Sequence, residues 1–167
     1  MNDKSRYYLE PTEDPRYHDT WQLLKKYRDI TWSLEVAVRQ ARSQFQLEYG
    51  SNIEDFLESI YCAGADLGGT ELEDHARCIE RSRKMLDLLS NAVELMRTRH
   101  KNGQCYYWLL YYTYLSPQEL GNVEEIIECL RPHIRDISFR TYYRKRKEAV
   151  TVLSSVLWGV TANTDYR

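Results

Sequence analysis

Apolar residues recur at three- and four-residue steps along most of this chain, and that spacing commits it to helices. Trp21, Leu24, Tyr27 or Arg28, Thr31, Leu34, Val38, Ala41 and Phe45 form one such stripe. Ile79, Leu86 and Val93 repeat every seven residues, interleaved with Ser82, Leu89 and Met96, which is a seam for pairing with another helix. Only seven glycines and four prolines interrupt 167 residues. With 43% hydrophobic and 29% charged residues, a packed core is within reach and wholesale disorder is excluded. The expected class is all-α: long antiparallel N-terminal helices followed by a C-terminal module of shorter ones.

Local signals divide the chain. Residues 1–18, with Pro11 and Pro15 among charges, read as a flexible arm. Asp19 or Thr20 is placed to cap the first long helix, and Gly50 to end it. A shorter helix is expected from Ser51, then a loop over 64–69. Thr70 and Glu73 form a capping box for the second long helix. Residues 19–101 thus make a dimerisation or interaction module, with the first helix or a second copy of the chain as partner for the seam. Asn102-Gly103 is a break. The run 105–115 is apolar on nearly every side and belongs at the centre of the C-terminal module, residues 102–167. Ser116-Pro117 with Glu119 reads as a helix start. Asn122 is placed to cap Val123–Leu130, Pro132 to stop it, and Ser138 to cap a last helix reaching about Trp158.

Charge is segregated. Residues 131–147 hold seven basic side chains against Asp136 alone, a local charge of +6, so the rest of the chain carries −8 to reach the net −2. Glu54, Asp55, Glu58, Asp66, Glu71, Glu73 and Asp74 lie between Arg42 and Arg77 with no Lys or Arg among them. A basic pole of this size attracts polyanions, and it equally suits a solvated face paired to the acidic pole.

The order buried helix, short amphipathic helix, turn, basic helix is that of a helix-turn-helix with its supporting helix. The last helix of that motif enters the major groove of double-stranded DNA, its first turns meeting base edges. Ser138 opens a positive helix end suited to phosphate. Arg140 and Arg144, four apart, share a face, and Arg forks match guanine edges, while Lys145 and Lys147 suit phosphate; Arg135 joins the DNA-binding set. Phe139, Thr141 and Tyr143 complete the candidate DNA-facing set, and Ile137, Tyr142 and Ala149 supply the inward side. The seven residues 131–137 exceed the three or four of an ordinary turn. Either the two helices splay, or the turn holds an extra half-turn around Ile134.

Val123–Leu130, the run Ile137-Ser-Phe-Arg-Thr-Tyr-Tyr-Arg-Lys-Arg-Lys-Glu-Ala-Val150 and Leu157-Trp-Gly159 resemble the RinA/ArpU type of phage transcriptional regulators. The segment from Ser138 to Arg144 carries the closest match. The resemblance spans the C-terminal third of the chain and is architectural elsewhere. It implies a C-terminal domain similar to sigma-factor region 4 and control of phage late genes. On the DNA-binding reading the long N-terminal helices serve dimerisation or contact with RNA polymerase.

The competing expectation is a phage or mobile-element interaction protein without specific DNA binding. Its acidic segment would enter a nucleic-acid channel of a host protein such as a defence nuclease. Cys62, Cys78, Cys105 and Cys129 show no C-x-x-C spacing and read as reduced thiols. His18, His75, His100 and His133 are scattered, and no catalytic motif is visible, so no enzyme, metal or cofactor is expected. The polar first residues are no signal peptide, and the longest near-apolar run is too short to span a bilayer, which points to the cytoplasm.

Overall fold

The structure is a computed structural model that describes residues 14–50, 52, 55 and 71–158. Every regular element among them is helical: α1 (Pro15–Tyr49), α2 (Glu71–Arg99), α3 (Gly103–Leu110), a π-helix (Tyr111–Leu115), α4 (Val123–Leu130) and α5 (Phe139–Trp158). Residues 1–13, the core of the helix expected from Ser51, the 64–69 loop, Thr70 of the capping box and Gly159 lie outside the described residues. No helix among those described is long and apolar enough to cross a membrane.

α1 begins four residues before the expected cap. The Asp14 carboxylate accepts from the Arg16 amide at 2.9 Å, and Pro15 takes the first helical position, where its missing N–H costs nothing. Thr20 is therefore a helix-interior residue, its buried hydroxyl donating to the Arg16 carbonyl at 2.8 Å. Residues 15–18, expected in a flexible arm, are helical, and Tyr17 packs on the core. Gly50 ends α1 as expected, with φ of +68° and its amide on the Gln46 carbonyl.

Two compact units are present. Residues 14–28 and 88–158 make the first, and the described residues between Arg28 and Leu88 make the second. Both divisions fall inside α1 and α2, away from the boundaries expected at 18/19 and 101/102. The sevenfold seam of α2 is thereby shared out. Leu89, Val93 and Met96 are fully buried in the first unit, whereas Ile79, Ser82 and Leu86 are half-buried in the second. In that second unit Phe45 is the buried anchor of the α1 stripe, and Trp32 and Leu47 are exposed.

The first unit holds a continuous core. Leu24 of α1, Leu89 of α2, Leu109 and Leu110 of α3, Leu130 of α4 and Leu153 of α5 are each shielded from water. Each contributes about 2 kcal/mol of burial. α3 packs most extensively on α5, as expected of a helix apolar on every side. Its continuation departs from α geometry: the Ser116 amide bonds the Tyr111 carbonyl, five residues back, at 2.7 Å.

The helix start expected at Ser116-Pro117 does not form. Ser116 closes the π-helix in extended conformation (ψ 144°), and its groups are engaged elsewhere. Arg28 donates to the Ser116 carbonyl at 2.8 Å, to the Ser116 hydroxyl at 3.1 Å and to the Thr113 carbonyl at 3.2 Å. The Ser116 hydroxyl in turn donates to the Gln118 carbonyl.

One buried phenol links this region to pH. Trp21 Nε1 donates to the Tyr114 hydroxyl at 3.1 Å, and burial pushes the Tyr114 pKa up to about 12, against a small opposing pull from Arg146. A phenol raised in the folded state stabilises the fold fully below its unfolded pKa of about 10, and that contribution is lost as pH rises through the folded value. Burial raises Tyr142 and Tyr17 in the same direction. Thermal melts followed by circular dichroism are expected to hold constant to about pH 10 and to fall from there toward pH 12. Tyr114→Phe flattens that fall; an unchanged profile in the variant assigns the loss to other groups.

Candidate nucleic-acid interface

Each local start signal around the basic helix is realised. The Asn122 side chain accepts from the Glu125 amide at 2.9 Å, and the Glu125 carboxylate accepts from the Gly121 amide at 2.8 Å, so both sides of the first turn of α4 are capped. Ile126, Ile127 and Leu130 face the core. Ser138 Oγ accepts from the Thr141 amide at 3.2 Å and lies 3.0 Å from the Thr141 hydroxyl, while the Ser138 carbonyl accepts from the Tyr142 amide. Ser138 is thus the cap of α5.

The seven-residue connection folds as more than an ordinary turn. The amides of His133 and Ile134 both donate to the Leu130 carbonyl, adding a tight turn beyond α4. Ile134 and Ile137 are buried and pin its middle and its far end, and Asp136 takes the left-handed region at φ of 54°. An extra turn around Ile134 accounts for the length.

α5 divides its faces as its period requires. Tyr142, Ala149, Val150 and Leu153 are shielded completely, and the Tyr142 hydroxyl lies 3.1 Å from that of Thr113. Arg140, Arg144, Lys147 and Thr151 follow at three- and four-residue steps on the opposite side. Arg140 and Arg144 are exposed, as are Arg135 and Ser138; Phe139 is 46% exposed; Lys147, Thr141 and Tyr143 are half-buried.

The basic run is not a uniform surface. Lys145 lies half-buried beside Cys105, where burial pushes the thiol up and the Lys145 ammonium opposes that shift. The Arg146 guanidinium sits 4.9 Å from the Tyr143 ring centre and 5.8 Å from that of Tyr142. Arg131 pairs with Glu128 at 3.1 Å. The outward bases are therefore Arg135, Arg140 and Arg144, with Lys147 at their flank.

Glu148 is a member of the candidate site that charge counting along the sequence passes over. Its carboxylate accepts from the Tyr106 hydroxyl at 3.1 Å and lies 3.9 Å from Arg144 Nε. It ties the outer face of α5 to α3. The four-residue step from Arg144 to Glu148 is the signal that points to it.

Among the described residues no group of three His, Cys, Asp or Glu side chains is arranged to hold a metal ion. No known protein family, curated protein or solved structure matches the chain.

Proposed function

We propose that this chain is a sequence-specific double-stranded-DNA-binding transcriptional regulator of the RinA/ArpU kind, acting on phage late genes in the cytoplasm. The observation that carries the reading is the division of α5: a capped helix whose inner side is locked into the core while Arg140 and Arg144 stand exposed on its outer side. A helix held that rigidly spends little ordering entropy when it enters a groove. α4 and the extra turn serve as the brace of a helix-turn-helix. The long helices, paired antiparallel, serve as the dimerisation or polymerase-contact module.

Half-burial of Lys145, Arg146 and Lys147 favours a second reading, an interaction protein that keeps this scaffold without specific DNA binding. A salt series of gel shifts, with DNA from upstream of the chain's own gene against random duplex, separates the two. The regulator is expected to prefer the upstream DNA and to lose affinity with a log–log salt slope of about −3 or steeper. No shift of either duplex at low salt overturns it.

A further inference from the structure

The connection 131–137 carries a feature that duplex binding leaves unused. His133 is exposed, and its ring lies flat on Trp108, with centroids 4.1 Å apart and planes 15° from parallel. Trp108 in turn stacks on Tyr112 at 5.9 Å and 25°. Tyr112 also lies 6.2 Å from His133, its plane tilted by 36°, so it flanks the Trp108–His133 pair from the side, and His133 is the member open to water. Arg131 and Arg135, both exposed, stand two residues to either side of His133.

We propose that this stacked pair is a platform for a single-stranded nucleic acid. An unpaired base extends the stack beyond His133, and Arg131 and Arg135 take the flanking phosphates. The two chemical elements such a strand uses are present: a π-face for the base and exposed cations two residues to either side of it. A duplex hides its bases in its own stack and cannot use the outer ring face. The acids nearby set the limits of the site. Glu128 pairs with Arg131 at 3.1 Å, and Asp136 follows Arg135, so a phosphate must displace Glu128. That exchange is inexpensive, because both partners are well exposed, at 63% and 66%. Duplex binding by α5 is not required for the platform to work.

The test is an anisotropy titration of the full chain with labelled oligo(dT) and with a random-sequence duplex hairpin at low salt. Wild type is expected to bind oligo(dT), and His133→Ala to weaken it about tenfold. His133→Tyr restores a flat ring without a titratable nitrogen and is expected to bind near the wild-type value. Replacing Arg131 and Arg135 with Ala is expected to reduce the salt slope by about 0.7 for each phosphate left without its cation. Duplex affinity is expected to be unchanged in both His133 variants. Absence of oligo(dT) binding, equal binding by His133→Ala, or equal losses in the Ala and Tyr variants each overturn the platform. Loss of duplex binding alone overturns the regulator and leaves the platform standing.

Discussion

Replacing Arg140 and Arg144 together with Ala is expected to abolish the preference for operator over random DNA. A bidentate Arg–guanine pair is worth roughly 1–3 kcal/mol of discrimination, so losing two costs about thirtyfold at the least. Weak, salt-sensitive binding through Arg135, Lys147 and the helix end is expected to remain. The fold is expected to be untouched, because both side chains are exposed and the Arg144–Glu148 pair, at 3.9 Å, is too long and too wet to contribute much. Competitive gel shifts and a melting curve on the same preparation check both halves. Undiminished preference in the double variant removes α5 as the reading element. Lys replacements sharpen the result: they keep the charge and lose the fork, so affinity is expected to survive better than specificity.

The largest effect on stability is expected at Gly103. This buried glycine closes the corner between α2 and α3, with its amide on the His100 carbonyl. A Cβ there would collide with the backbone carbonyls of Met96 and Arg97. Backbone cannot step aside as a flexible side chain would, so Gly103→Ala must pry the two helices apart. The expected cost is about 3 kcal/mol, which lowers the melting temperature by about 10 °C. Gly121 is the control, since a Cβ there meets only the end of the Glu125 side chain. If Gly103→Ala melts with the wild type, the corner is not the tight junction described.

Much of this was legible in the residues, for identifiable reasons. Periodicity located the helices because burial of one face is a local pattern. Asn122, Ser138 and Gly50 were readable as caps because capping is decided within three residues. The Asp14-Pro15 start belonged to the same class of signal but was hidden by a second proline nearby. Ser116-Pro117 misled because its fate is settled by Arg28, a partner 88 residues away. At the candidate site, the outward placement of Arg140 and Arg144 follows from the helical period. The inward lean of Lys145 and Arg146 does not follow from charge. It depends on Cys105, Tyr142 and Tyr143, and only Arg146, four residues after Tyr142, had a sequence cue.

The π-helix makes chain length itself a variable that evolution and mutagenesis can act on. Its bond from Ser116 to Tyr111 encloses one residue more than an α-turn does. Deleting one residue between Tyr111 and Leu115 would therefore leave a regular α-turn rather than a broken helix. The loss would be taken up within that turn, so the chain from Ser116 onward would keep its place instead of rotating by the roughly 100° that a deletion from a regular α-helix imposes. The Ser116 carbonyl would stay on Arg28, and only residues inside the turn, Tyr114 with its bond from Trp21 among them, would be re-registered. A homologue lacking that residue should accordingly keep its base at position 28 while position 21 changes, and this is a coupling between an indel and one distant side chain that sequence alignments can look for.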